Sequence, residues 1–338
     1  MLKILVTGGC GFIGSNFINK LFWKKKYMFV NVDSMNYCAN ESNIDELIRM
    51  SPDYAFYEEN INNQEKMVSI LINHEIDVVV HFAAQSHVQN SFEDSLLFTN
   101  DNVVGTHNLI EASRKYGKLK KFIHISTDEV YGESLLGCKE NKKDEGSNLS
   151  PTNPYAATKA AAEMIVSSYH KSFNVPVVIT RGNNVYGYNQ YPEKIIPRFI
   201  NLLLDNKNVT IQGDGTAVRG FLHAYDTVMA IEHVIDFGNV GEIYNIGCDD
   251  RDEYAVKQIA DMLIKLIKGD GVDTSKYITY IEDRPFNDQR YYISNKRIRE
   301  LGWKPKMDFV ESIQLLIEHE RSKREATNTV SQIVESNK

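Results

Sequence analysis

The amino-acid order predicts an α/β fold, with a doubly wound parallel sheet followed by a smaller mixed α/β lobe. Three observations carry this expectation. Short β-rich runs alternate with helix-length amphipathic stretches through the first half, the pattern of right-handed βαβ units. Val78-Val79-Val80 and Ile123–Ile125 are near-continuous apolar runs, as strands covered on both faces must be. A glycine-rich turn follows the first run at once.

In chain order, strands are expected at Lys3–Thr7, Met28–Asp33, Val78–Ala83, Phe122–Ser126 and Val177–Arg181. Helices are expected near Ser15–Trp23, Asn63–His74, Phe98–Tyr116 and Pro154–Phe173. After Arg181 the texture changes, and Gly, Asn, Tyr and Pro become frequent. Short strands (Val209–Gln212, Glu242–Ile246, Ile278–Ile281) mix there with helices (Ile195–Asp205, Thr227–Phe237, Tyr254–Ile267, Asp308–Arg324). The expected division is a first domain over 1–181 to which later segments return, a capping lobe mainly over 182–321, and a polar tail over 322–338 that frays.

Composition narrows the function. The 338 residues are 42% hydrophobic and 25% charged, ordinary for a packed chain. Lys+Arg 38 against Asp+Glu 45 gives 38 − 45 = −7, which argues against nucleic acid, a partner that needs clustered positive charge. Lys24-Lys25-Lys26 reads as a solvated helix end. No stretch approaches the ~18 apolar residues of a membrane span. The chain enters a strand at Ile4-Leu5-Val6, leaving no room for a signal peptide. Cys10, Cys38, Cys138 and Cys248 stand far apart with no C-x-x-C pair, which suits reduced thiols and gives no metal signal. A soluble cytoplasmic protein is expected.

Gly8, Gly11 and Gly14 are spaced G-x-x-G-x-x-G between the first strand and first helix, a variant of the Rossmann fingerprint. The first glycine permits the tight turn, the second lets backbone approach a pyrophosphate, and the third lets helix pack on strand. The phosphates would rest on the helix N-terminus. Glycine-rich turns are common, so context decides. Asp33 ends the second strand, 25 residues after Gly8, where a carboxylate binds the adenosine ribose hydroxyls and repels the extra phosphate of NADP. NAD is the expected cofactor, although an aspartate here could also serve a turn.

Tyr155 and Lys159 are four apart near a helix start that follows Pro151 and Pro154, so both project from one face. An ammonium beside a phenol would lower a pKa that starts near ~10 and make a base for a sugar hydroxyl. Tyr116/Lys120 and Tyr292/Lys296 share the spacing, but only Tyr155 lies just downstream of a strand ending in Ser126-Thr127. That strand runs on into Asp128-Glu129. Strand ends of such a sheet are where ligands bind. A simple dehydrogenase or epimerase needs no carboxyl pair there, whereas loss of water beside a transient ketone needs an acid and a base with separated pKa values. From the dipeptide alone, acids favoured at a helix N-terminus explain it equally well.

Together these residues resemble the extended short-chain dehydrogenase/reductases, and within them the nucleotide-diphosphate-glucose 4,6-dehydratases. The resemblance is carried by TGGCGFIG (Thr7–Gly14), HFAAQSHV (His81–Val88), STDEVYG (Ser126–Gly132), PTNPYAATKAAAE (Pro151–Glu163), RGNNVYGYNQYPEKIIP (Arg181–Pro197), GDGTAVRGFLH (Gly213–His223), YNIG (Tyr244–Gly247) and RPFNDQRY (Arg284–Tyr291). It implies that Thr127, Asp128, Glu129, Tyr155 and Lys159 are catalytic, with Asp128 the acid at O6 and Glu129 the base at C5. It implies a cofactor site of Gly8, Gly11, Phe12, Ile13, Gly14, Asp33, Ser34, Asn36, Asn60, Ile61, Phe82, Ala83, Ala84, Gln85, Thr99, Tyr155 and Lys159. It implies a sugar-nucleotide site of Ser86, Thr127, Asp128, Glu129, Asn184, Lys194, Ile195, Ile211, Arg219, Asn245, Arg284, Asn287 and Tyr291, with no metal. The guanidinium forks of Arg219 and Arg284 match a diphosphate.

The implied cycle oxidises C4, eliminates water across C5 and C6, and returns the hydride to C6, giving a 4-keto-6-deoxy sugar. Bacterial dTDP-glucose enzymes usually carry Glu where this chain has Gln85 and Gly-His where it has Phe286-Asn287. AAQSHV and RPFNDQRY are more similar to the dehydratase domain of plant-type rhamnose synthases, which favours UDP-glucose over dTDP-glucose, with a C4 epimerase a lesser alternative. Ala156, Ala157, Ala160 and Ala161 allow close helix packing, and the family implies a homodimer through a four-helix bundle.

Overall fold

The computed structural model describes residues 1–136 and 142–336; Cys138 lies outside them. Its centre is a parallel seven-stranded sheet of β1 (Leu2–Thr7), β2 (Tyr27–Asp33), β3 (Tyr54–Glu58), β4 (Val78–His81), β5 (Lys121–Thr127), β6 (Val177–Gly182) and β10 (Ile243–Ile246), ordered β10-β6-β5-β4-β1-β2-β3. The order reverses at β1, the switch point where doubly wound sheets bind ligands at the carboxyl ends of their strands.

Alternation sorts the side chains between two cores. Ile4, Val6, Val78, Val80, Ile123 and Val178 pack on one face with α1 (Phe12–Phe22), while Leu5, Val79, Phe122, Val177 and Ile179 pack on the other. That second face is covered by α2 (Gln64–His74), α3 (Gly105–Tyr116) and α4 (Pro154–Phe173). α4 begins with Pro154 in its first turn, and the Asn153 side chain accepts from Ala156 N at 2.8 Å.

The lobe has its own core around Phe199, Leu203, Ile211, Phe221, Ile259, Leu263, Phe309 and Ile313. It contains α5 (Ile195–Leu204), a three-stranded sheet of β7 (Asn184–Tyr186), β9 (Val218–His223) and β11 (Glu253–Ala255), and the parallel pair β8 (Val209–Gln212) and β12 (Ile278–Ile281).

Four expectations are corrected. β3 was not anticipated, because Tyr54–Glu58 is a partly exposed edge strand without a continuous apolar run. β5 is consequently the fifth sheet strand in sequence. The Glu242–Ile246 run pairs with β6 in the central sheet rather than the lobe sheets. The expected helix over Phe98–Tyr116 contains a widened π-type turn at Thr99–Val104 before α3. That turn buries Asn102, whose side chain accepts from Gln85 N at 2.8 Å and donates to Gln85 O and Thr158 Oγ1, both at 3.0 Å. The last helix runs unbroken over Phe309–Ser336, where fraying from Ser322 was expected.

At the end of β6, Arg181 lies under the turn that follows β5. Its Nη2 donates to Glu163 Oε2 at 2.6 Å and its Nη1 to the Tyr131 hydroxyl at 2.7 Å, with the paired side chains 4% and 3% exposed. Removing one partner leaves the other charge buried and unpaired. Arg181→Met should therefore lose about 3–5 kcal/mol in urea unfolding, and adding Glu163→Leu should recover most of the loss. Independent, additive losses would show that the pair does not couple.

Candidate functional site

The glycine turn has the geometry its sequence demands. Gly8 has φ +73°, and a Cβ there would lie 2.7 Å from Ala83 N. A Cβ on Gly14 would lie 2.3 Å from Gly8 O, whereas one on Gly11 would meet only Gly8 O, at 3.3 Å. Backbone at Gly11 is thus open to a ligand while its neighbours pack against the chain. Asp33 is buried at the end of β2, its carboxylate accepting from Cys10 N and Met35 N at 2.9 Å each, and burial raises its pKa.

These groups border a cleft of about 230 Å³. Its lining includes Gly8, Gly11, Phe12, Ile13, Gly14, Asp33, Ser34, Asn36, Asn60, Ile61, Phe82, Ala83, Ala84, Tyr155 and Lys159. Two expected members lie outside that lining. Gln85 is buried, its amide donating to Asp101 Oδ2 at 2.8 Å, and Thr99 is exposed with its hydroxyl on Ser95 O.

A second cleft, of about 400 Å³, joins the first along Ile125, Ser126, Tyr155 and Lys194. Ser86, Thr127, Glu129, Asn184, Lys194, Ile195, Arg219, Arg284, Asn287 and Tyr291 line it. Arg219 donates to Asn287 Oδ1 at 3.1 Å, and Arg284 donates to Gln212 Oε1 at 2.9 Å while its buried Nε has no partner. Two guanidinium groups so placed, with Lys194 beside them, suit a diphosphate.

Three of the expected substrate contacts are absent from the lining of this cleft. Ile211 is fully buried in the lobe core, and its neighbours Thr210 and Gln212 face the cleft instead. Asn245 is buried, accepting from the Tyr131 hydroxyl at 2.8 Å and donating to Lys143 O at 3.1 Å. Asp128 is buried immediately behind the lining, between two residues that form it.

The carboxyl pair sits on the short helical turn Asp128–Tyr131 that ends β5. Asp128 accepts from Asn183 Nδ2 at 2.7 Å and from Thr127 Oγ1 at 3.2 Å. Burial first, then the charge of Glu129, pushes its pKa up to about 7. Glu129 is partly buried, accepts from Asn153 Nδ2 at 3.1 Å, and lies 3.3 Å from the Tyr291 hydroxyl. Burial raises its pKa as well. Neither carboxyl is spent in a salt bridge among the described residues; one faces the cleft and the other stands beside it.

The Tyr155–Lys159 pair departs from the expected electrostatics. Burial and the negative charge of Glu129 push the phenol up, against a hydrogen bond with Thr127 that pulls it down. Lys159 Nζ donates to Ile125 O at 2.7 Å, and burial lowers the lysine to about 8. The geometry therefore holds Tyr155 protonated, and Lys159 does not offset its burial. Of the other two tyrosine–lysine pairs, Lys120 is spent on Asp77 at 2.8 Å and Tyr292 lies beneath the Arg290 guanidinium, both outside the clefts.

Sequence reasoning did not single out Asn183, Asn153 or Asp288. The Asn183 carbonyl oxygen accepts from Cys248 N at 2.9 Å, which fixes its amide as the donor to Asp128. Asn153 caps α4 and holds Glu129 at once. Their only signal was membership of the quoted RGNN, PTNP and RPFNDQRY segments. No cluster suited to a metal occurs among the described residues, and none of their helices is long and apolar enough to cross a membrane.

Comparison with known proteins gives consistent matches. The profile of the family described as GDP-mannose 4,6 dehydratase matches residues 5–316. A trifunctional UDP-glucose 4,6-dehydratase/UDP-4-keto-6-deoxy-D-glucose 3,5-epimerase/UDP-4-keto-L-rhamnose-reductase of Arabidopsis thaliana is 43% identical over 317 residues, covering 94% of this chain and 47% of its own length. The chain thus spans about half the length of that relative. The dTDP-D-glucose 4,6-dehydratase of Homo sapiens is 44% identical over 319 residues, 94% of this chain and 89% of its own. The crystal structure of a dTDP-glucose 4,6-dehydratase from Streptomyces venezuelae, solved with NAD bound, superposes with a TM-score of 0.88 at 33% identity, covering 96% of this chain and 98% of the other. With a profile match over nearly the whole chain, a two-cleft site and these relatives in agreement, the chain belongs to the GDP-mannose 4,6 dehydratase family of extended short-chain dehydrogenase/reductases, whose relatives reported above are named nucleotide-sugar 4,6-dehydratases.

Proposed function

We propose that the chain converts UDP-glucose to UDP-4-keto-6-deoxyglucose, with NAD in the 230 Å³ cleft and the sugar nucleotide in the 400 Å³ one. The observation that carries the reading is the carboxyl pair Asp128–Glu129 beside Tyr155, where the two clefts meet. The open backbone at Gly11 and the buried Asp33 carboxylate fit a dinucleotide. The residues of the first cleft would hold NAD, whose nicotinamide would supply hydride acceptance from C4 and hydride return to C6.

The protein's own groups handle the protons. Tyr155 takes the proton of the C4 hydroxyl, with Thr127 hydrogen-bonded to it. The resulting ketone acidifies C5, and Glu129 takes the C5 proton. The electron pair of that C–H bond forms the C5–C6 double bond as the C6–O6 bond breaks, and O6 leaves as water with the proton of Asp128. Asp128 suits the acid role because its raised pKa keeps it substantially protonated near neutrality. Arg219 and Arg284 hold the diphosphate, and Lys194 closes the cleft by donating to Ser86 O at 2.9 Å. Tyr155 begins as a neutral phenol, and the Thr127 hydrogen bond is the group beside it that favours its ionised form.

The same reaction on dTDP-glucose is the second reading, favoured by the human relative, while the plant relative favours UDP-glucose. The two nucleotides differ by one ribose hydroxyl and one methyl group, a small binding difference. A homodimer is part of the proposal, supported by exposed Met164 and Phe173 on α4 and Val104 before α3.

With UDP-glucose, mass spectrometry should show a product lighter by one water, formed faster than from dTDP-glucose; faster turnover of dTDP-glucose would reverse the preference. Unchanged substrate in both cases, with NAD present, would reject the dehydratase reading for this chain. Asp128→Asn should slow water loss by about 10²–10⁴-fold while C4 oxidation, read as reduced NAD in a single turnover, changes far less. Because the Asp128 pKa is raised, its acid form is present below pH about 7 and is lost as pH rises through that value. Water loss should therefore fall on the alkaline side of neutrality; a rate flat from pH 6 to 9 would remove Asp128 from the acid role.

A further inference from the structure

The carboxyl pair has a third carboxyl neighbour. Asp288 is 2% exposed, and both of its oxygens accept from Thr152 Oγ1 at 2.8 Å. Its Oδ2 lies 2.5 Å from the Tyr291 hydroxyl, and that same hydroxyl lies 3.3 Å from Glu129 Oε2. A phenol has one proton to donate, and the shorter contact takes it. We propose that Asp288 is a positioning residue for Glu129: by accepting the hydrogen bond of the Tyr291 hydroxyl, it leaves Tyr291 facing Glu129 with a lone pair.

The consequence follows from donor and acceptor counting. A lone pair against an ionised Glu129 is repulsive, while a protonated Glu129 donates to it, so the contact favours the protonated carboxyl. The C5 proton thus moves to Glu129 and is held there by an acceptor set in advance until C5 is reprotonated, as the 4-keto-6-deoxy product requires. The remaining groups around Glu129 divide by sign. Arg219, Lys194 and Arg284 favour its charged form, while Asp128 and Asp288 oppose it. Tyr155, which opposes ionisation with it, faces it from α4. Arg219 sits 4.7 Å over the Tyr291 ring rather than between the phenol and either carboxyl, and Asn153 offers Glu129 only a donor.

The proposal rests on the reading of Glu129 as the C5 base, and its test has a readout independent of turnover. Carboxyl NMR of the full chain labelled with ¹³C-glutamate, compared with Glu129→Gln, isolates the Glu129 titration. Asp288→Asn should lower its midpoint by about one pH unit. Tyr291→Phe should lower it too, and the shift in the double variant should fall short of the sum of the two single shifts. An unchanged midpoint in either single variant overturns the proposal. Additive shifts also overturn it, because they would mean that Asp288 acts by charge alone. Should Asp288→Asn fail to fold, Tyr291→Phe decides by itself. With UDP-glucose in deuterated water, the acid limb of C5 exchange should move to lower pH in both single variants, and a fixed limb counts against the proposal. Wild-type protein that leaves the sugar unchanged refutes the functional reading, and the NMR result still stands.

Discussion

Two adjacent carboxyl groups, one lining the cleft and one buried just behind its lining, are costly to bury, and much of the surrounding structure serves to make them tolerable. Each is held by neutral donors: Asp128 by Thr127 and Asn183, and Glu129 by Asn153. Cations in direct contact would have stabilised both charges and removed the acid. Neutral donors satisfy the oxygens yet leave burial and mutual repulsion to raise the pKa values, and these two effects dominate at Asp128. The arginines therefore stand farther out, where a diphosphate needs them.

This constraint reaches into the fold. Asn183 follows β6, and its orientation is set by Cys248 just beyond β10, so the acid depends on a strand more than sixty residues away in sequence. Asn153 must cap α4 to reach Glu129, which ties the first turn of the helix bearing Tyr155 to the turn bearing the carboxyls. Beneath both, Arg181 and Glu163 pin Tyr131 at the far end of that turn. A buried ion pair is weak evidence of stabilisation by itself. Here it fixes the register of a catalytic turn against two strands and a helix.

What the sequence made legible was local. Apolar runs placed β1, β2, β4, β5 and β6, glycine spacing placed the phosphate turn, and Asp33 fell where β2 ends. Edge strand β3 escaped because one exposed face erases the continuous pattern, and β10 was assigned to the lobe because pairing across the chain leaves no mark in its four residues. Ile211 and Asn245 were carried by resemblance, which transfers a position in a motif but not the direction of a side chain; Ile211 turns into the core while Thr210 and Gln212 turn out, as strand alternation requires. The depressed phenol expected from Tyr155 and Lys159 was a pairwise argument, and burial together with a nearby carboxylate outweighed it.

The same lesson bears on Asn183, Asn153 and Asp288. Asparagine and aspartate in loops ordinarily read as turn formers, and nothing in their immediate neighbours marks them otherwise. Their importance comes from which lone pair or proton they present to a carboxyl contributed by another segment. Motifs name the reacting groups, since those must have a particular chemistry. The groups that set proton affinity need only the right donor or acceptor at the right distance, a requirement many residue types meet and only the assembled fold displays.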